Sequence, residues 1–150
     1  MTADPTLHQR IAAATLAAEI VHDGMVIGYG TGRAAMAVMD VLAPRIHAGL
    51  RVLGVPTSLA TAAHAAHLGI PLTDLDTHPS LDLTIDGADE VDPSRFIIKG
   101  GGAALFREKV LAAASRRLVI VIDATKRVPR LGATRAIPVE VLPFAVGSCV

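Results

Sequence analysis

A three-layer α/β fold with a mostly parallel sheet and Rossmann-like β-α-β units is predicted by three features of this 150-residue chain. Short apolar strands alternate with helical stretches, a glycine-rich turn joins the first strand to the next helix, and acidic or glycine-rich loops follow the strand ends.

The elements follow in order. Ile11, Leu16, Ala17, Ile20 and Val21 recur near helical spacing until Asp23-Gly24 stops them. Met25 to Gly30 reads as a buried strand. Thr31-Gly32 opens a second helix through Ala34, Met36, Val38, Met39 and Leu42, expected to end near Pro44. A short strand at Arg51 to Val55 closes the β-α-β unit. Ser58 to Leu68 is helical up to Gly69, Leu81 to Ile85 is a strand, and Ala103 to Ala114 is a helix leading into the strand Leu118 to Ile122. Arg127 to Ala136, rich in Arg, Pro and Gly, is a loop. Ile137 to Leu142 is a weak strand candidate, and Pro143 to Val150 is expected to end without a helix.

Composition narrows the function classes. With 51% hydrophobic and 19% charged residues, the chain has aliphatic material for one core, and a single domain over 1–150 is expected. Fourteen basic residues balance fourteen acidic ones with no Lys/Arg stripe, which argues against nucleic acid as a partner. The lone Cys149 excludes an intramolecular disulfide, and no Cys-x-x-Cys is present, so a cytoplasmic protein is expected. The N-terminus lacks the basic and unbroken apolar regions of a signal peptide. Despite a mean hydropathy of +0.49, no apolar run approaches the ~20 residues that span a bilayer.

Four loops fall where an open parallel sheet binds ligands, at the carboxyl ends of its strands. The alternating glycines of Gly28-Tyr-Gly-Thr-Gly-Arg33 permit close backbone approach to an anion. The next strand ends Gly54-Val-Pro-Thr-Ser58 without the acidic residue of a dinucleotide site, so a small phosphate ranks ahead of both a nicotinamide cofactor and a purely structural turn. Hydroxyls in Pro56 to Thr61 read first as a helix cap and second as sugar-binding groups. Asp86 and Asp89, in Ile85-Asp-Gly-Ala-Asp-Glu-Val-Asp92, leave an apolar strand at the sheet's edge. Divalent metal binding and a solvated acidic turn are their rival readings. Lys99 precedes three glycines, and Glu108 lies early in the following helix. Four such groups on successive strand-end segments suggest a catalytic set, although an exposed, Lys-paired Glu108 is the default for that residue alone. The histidines at 8, 22, 47, 64, 67 and 78 form no metal-ligand motif and read as surface or satisfied side chains.

The ordered set Gly-x-Gly-Thr-Gly, Asp-Gly-Ala-Asp-Glu, Lys-Gly-Gly-Gly-Ala-Ala-Leu-x-Arg-Glu-Lys, Asp-Ala-x-Lys and Pro-Val-Glu-Val resembles the ribose-5-phosphate isomerase A family. The resemblance implies an aldose-ketose isomerase needing neither metal nor nicotinamide. By it, Glu108 is the base shuttling a proton between C1 and C2. Asp86 and Asp89 assist ring opening, and Lys99 stabilises the enediolate oxygen. It further implies substrate contacts from Thr31, Gly32, Arg33, Ala34, Gly87, Ala88, Gly100, Gly101, Gly102 and Lys126, with Arg10 in the place of a family lysine near the phosphate. A homodimer or higher oligomer is implied as well. Two departures stand out. Arg33-Ala34 replaces the family's Ser-Thr, and the family's smaller second α/β domain, with a segment returning to the main sheet, is largely missing from a chain that stops at Val150. A non-catalytic sugar-phosphate sensor and an inactive fragment are the competing readings.

Overall fold

The computed structural model describes residues 4–149. Helix α1 (Leu7–Glu19) precedes β1 (Val26–Tyr29), α2 (Arg33–His47), β2 (Leu53–Pro56), α3 (Leu59–His67) and β3 (Leu83–Asp86). A short ribbon, β4 (Glu90–Val91) and β5 (Ile97–Ile98), follows, then α4 (Leu105–Ala114), β6 (Leu118–Ile120) and α5 (Val146–Cys149). Strands β2-β1-β3-β6 form a sheet in that order, and every pairing in it is parallel. Strand alternation assigns the two faces. Ile27, Tyr29, Leu83 and Ile85 point into the main core with α1, α2 and α3 residues such as Ala14, Val38, Met39, Leu42 and Ala65. On the opposite face Val26, Leu81 and Val55 pack with Leu111 and Ala114 of α4. The three layers expected from the alternating pattern are therefore present.

The differences from the sequence pattern have local causes. Helix α1 buries Arg10, Ala14, Ala17 and Ala18, while Ile11 and Leu16 of the apolar pattern stay exposed. Small side chains let α1 lie close against α2, so the alanine stripe, not the larger aliphatics, marks its inner face. Helix α2 does not end near Pro44 but continues to His47. The carbonyl of Asp40, which loses its amide donor at Pro44, lies on the exposed side of the helix, where water can satisfy it. Gly49, at φ +109, makes the actual stop: its N–H donates to Ile46 O and that of Leu50 to Arg45 O.

Ile137 to Leu142 forms no strand, and Ile137, Val139 and Leu142 are exposed. A strand needs a ladder partner, and none lies beside this segment among the described residues. Contrary to expectation, a short helical turn closes the described chain: a 3₁₀ turn at Pro143–Ala145 runs into α5. The ribbon β4-β5 carries no strong pattern of its own. It is closed by Asp92, whose Oδ1 accepts the Phe96 N–H at 2.9 Å, with Arg95 at φ +66.

Candidate active site

The carboxyl ends of β1 and β3 meet the ribbon and the start of α4 around a cleft of about 250 Å³. Asp86 ends β3 with its side chain buried. That placement depends on Gly30: a Cβ there would lie 1.9 Å from Asp86 Oδ1, so any larger residue would push the carboxylate away. Glu108 is buried in the first turn of α4, and thus is not the exposed, solvated glutamate that a lone helical Glu suggests. Lys99 Nζ sits between the two, 2.8 Å from Asp86 Oδ2 and 3.4 Å from Glu108 Oε2, and donates to Gly87 O at 2.5 Å. Its charge offsets the carboxylates without an aligned hydrogen bond to either contacting oxygen; both oxygens are buried and lack one among the described residues.

The electrostatics follow from burial. Desolvation raises the Asp86 carboxyl above its ordinary range, opposed by Lys99. Desolvation raises Glu108 too, reinforced by the negative charge of Asp86 and opposed by Lys99. One ammonium, Lys99, thus opposes the upward shift of both carboxyls.

The remaining site candidates gather with this cluster. Thr31, Gly32, Arg33 and Ala34 form one wall, Gly87, Ala88 and Asp89 a second, Gly100, Gly101 and Gly102 a third, and Arg10 and Lys126 complete the rim. Gly32 caps α2 at φ +104, a conformation that costs glycine little, and the first-turn amides behind it have no partner within the helix. Thr31 Oγ1 lies 2.8 Å from Thr57 Oγ1, Thr61 Oγ1 donates to Gly30 O at 2.9 Å, and Thr57 Oγ1 donates to Tyr29 O at 3.0 Å. The hydroxyls after β2 thus brace the glycine loop, while Ser58 caps α3 by accepting the Thr61 N–H at 3.1 Å; the cap is the reading the structure supports. Asp89 Oδ2 accepts the Gly101 N–H at 2.7 Å and so fixes the triple-glycine loop. One expectation needs correction. Lys99 follows β5 of the separate antiparallel ribbon, not a strand of the parallel sheet. The ribbon is what folds it back over β3.

The acidic loop disperses rather than converges. Asp86 faces Lys99, Asp89 faces Gly101, Asp92 closes the ribbon turn, and Glu90 is enclosed by a different loop. Among the described residues no three His, Cys, Asp or Glu side chains gather as metal ligands. His64 pairs with Asp40 at 2.8 Å, and His47 Nε2 lies 3.0 Å from Leu68 O, both as structural contacts.

Glu90 and Asp4 are the residues that sequence reasoning missed. Glu90 accepts from the N–H groups of Gly132, Thr134 and Arg135 and from the Thr134 hydroxyl, at 2.5–2.8 Å. The Thr134 hydroxyl first, and those backbone amides with it, hold its carboxyl at about 2. Because the folded value is depressed, its stabilisation is complete above the ordinary carboxylate range near 4.5 and is lost as pH falls toward about 2. A Glu90→Gln variant is expected to speed amide hydrogen exchange at Gly132, Thr134 and Arg135 by about tenfold at pH 7, the size of one lost charge-assisted hydrogen bond. Unchanged exchange there would show that Glu90 does not anchor the loop.

The fold and the cleft define a class: an open parallel-sheet α/β protein with a carboxylate-lysine-carboxylate cluster at the carboxyl ends of its strands. Within that class the chain belongs to the ribose 5-phosphate isomerase A (phosphoriboisomerase A) family, whose sequence model matches residues 53–150. It is 56% identical over 137 residues to ribose-5-phosphate isomerase A of Methylorubrum extorquens, covering 91% of this chain and 58% of that relative. The structure of ribose 5-phosphate isomerase A from Methanocaldococcus jannaschii superposes with a TM-score of 0.90 at 38% identity, covering 94% of this chain and 63% of that one. A D-ribose-5-phosphate isomerase in complex with phospho-erythronic acid superposes at 0.93 with 34% identity, covering 97% and 65%. The chain thus spans roughly three-fifths of the length of these relatives. No described helix is long and apolar enough to cross a membrane.

Proposed function

We propose that this chain is the catalytic domain of a ribose-5-phosphate isomerase, interconverting D-ribose 5-phosphate and D-ribulose 5-phosphate in the non-oxidative pentose phosphate pathway. The observation that carries the reading is Glu108: a buried carboxylate in the cleft wall, with one oxygen lacking an aligned donor and a lysine ammonium 3.4 Å from it. That is a base placed beside a cation, as proton abstraction next to a carbonyl requires. In the open-chain sugar, Glu108 removes the proton on C2 and returns it to C1, while a hydroxyl proton passes from O2 to O1. Lys99 and the Gly100–Gly102 loop face the oxygen that becomes negative in the enediolate. Asp86 and Asp89 bind hydroxyls and assist ring opening. Thr31 to Ala34, Arg10 and Lys126 receive the phosphate, and Gly87 and Ala88 complete the sugar contacts.

The phospho-erythronic acid bound by the structural relative supports a phosphorylated sugar acid as a mimic of the intermediate. The proposal includes a cytoplasmic setting, consistent with the single free Cys149, and a homo-oligomer. It needs no metal or redox cofactor. Retention of Glu108 beside Lys99 favours an enzyme over a sugar-phosphate sensor, for which a proton shuttle has no use.

Purified protein is expected to convert ribose 5-phosphate to ribulose 5-phosphate in the presence of EDTA. Because the raised carboxyls must ionise for Glu108 to act as base, kcat/KM is expected to rise with pH through a limb above the ordinary carboxylate range of about 4.3. Folded protein that binds the sugar phosphate without turnover would favour the sensor reading. A limb at the ordinary range would remove burial from the mechanism.

A further inference from the structure

Asp4 is not among the residues that line the cleft, yet two arginines that do line it are both tied to its carboxylate. Asp4 Oδ2 lies 2.8 Å from Arg10 Nη2 and 3.1 Å from Arg33 Nη1. Its other oxygen accepts the Thr6 N–H at 2.9 Å and the Thr6 hydroxyl at 2.8 Å. The Thr6 Oγ1 in turn accepts from Arg10 Nη2 at 2.8 Å. The carboxylate is thereby fixed at the entrance to α1, and it fixes guanidiniums brought by two different helices. The arginines differ sharply in freedom. The Arg10 side chain is 7% exposed, whereas that of Arg33 is 73% exposed and has no other ion-pair partner among the described residues.

Unbridged, two neighbouring guanidiniums repel, and an exposed arginine loses much rotamer entropy when a ligand orders it. A carboxylate behind both lowers each cost before the ligand arrives. Each guanidinium carries five N–H donors, and these bonds engage only Arg10 Nη2 and Arg33 Nη1, so donors remain for an anion in the cleft. A phosphate dianion matches such a pair in charge and in forked geometry.

We propose that Asp4 is a positioning residue that joins Arg10 and Arg33 into one two-guanidinium seat for a phosphate dianion, so that this seat distinguishes phosphorylated from unphosphorylated ligands. The inference rests on the sugar-phosphate reading above and adds to it the source of phosphate selectivity.

The test is calorimetric binding of phospho-erythronate, erythronate and inorganic phosphate to the wild type and to Asp4→Asn, Asp4→Glu and Arg33→Lys, with thermal melting of each. Asp4→Asn is expected to weaken phospho-erythronate and inorganic phosphate about tenfold, the size of one charge-assisted hydrogen bond, and to leave erythronate unchanged. Asp4→Glu should recover part of the loss, and Arg33→Lys should lose a similar factor because an ammonium lacks the fork. Weakening of inorganic phosphate as well as phospho-erythronate places the effect at the phosphate end rather than on the sugar acid. Phosphate binding that is tightened or unchanged in Asp4→Asn, while the wild type binds phospho-erythronate, overturns the inference and leaves the sugar-phosphate reading standing. Equal loss of phospho-erythronate and erythronate with a lowered melting temperature makes Asp4 merely structural and also overturns it. Failure of the folded wild type to bind either phosphorylated ligand overturns both.

Discussion

Replacing Glu108 by Gln is expected to lower kcat for ribose 5-phosphate isomerisation by about 10²–10⁴-fold, the range that a positioned general base contributes. Glutamine keeps the size and the hydrogen-bonding shape of the side chain but cannot accept the C2 proton. The effect should appear in kcat and kcat/KM together, because the interaction lost belongs to the transition state. Binding of phospho-erythronate should be kept, since Arg10, Arg33 and the glycine loop lie on other walls of the cleft. Neutralising a buried carboxylate that has an oxygen without an aligned donor should not unfold the protein. Retained turnover in Glu108→Gln would move the base elsewhere, with Asp86 the next carboxylate in line at the same lysine.

Lys99→Met is expected to have the second-largest effect, a fall of about 10²–10³-fold in kcat, comparable to the loss of one oxyanion donor. Two consequences of one ammonium combine here. In the proposed reaction it faces the enediolate oxygen, and in the structure it is the charge that opposes the upward shift of both Asp86 and Glu108. Without it the burial of both carboxyls, and for Glu108 the charge of Asp86, loses its opposing cation, both carboxyls rise further, and less of Glu108 is in its base form at neutral pH. The acid limb of kcat/KM should therefore move to higher pH as well as the maximum falling. A lowered maximum with an unmoved limb would separate Lys99 from the carboxylate pair. An unaltered kcat would remove it from the chemistry.

Much of this site was legible in the sequence because its residues sit in short motifs directly after apolar strands, and strand ends of a parallel sheet share one edge. Asp86 and the Thr31–Ala34 turn follow from that rule alone. Lys99 is grouped with them by the same rule but on the wrong sheet, since it reaches the cluster through the β4-β5 ribbon, whose two-residue strands are too short to show a period. Glu108 was marked by its motif and its distance from the glycines, but its burial comes from tertiary packing of α4 over the sheet. Asp4 was invisible because its meaning depends on two arginines in different helices. Glu90 was counted with its acidic neighbours, although the loop that encloses it lies over forty residues further along the chain. In the fold, Pro44 misled because a proline on an exposed helix face leaves its orphaned carbonyl to water. Ile137 to Leu142 misled because β propensity without a partner strand makes no sheet.

The central claim, that Glu108 moves a proton between C1 and C2, is tested most directly by isotope exchange. The protein is incubated with ribose 5-phosphate in deuterium oxide with EDTA, and deuterium at C2 of the aldose and C1 of the ketose is followed by NMR, with Glu108→Gln alongside. Deuterium entering both positions with the wild type, and at neither above background with Glu108→Gln, is the expected result. Equal incorporation by both proteins, or neither ketose formation nor incorporation from a folded wild type that binds phospho-erythronate, would contradict it.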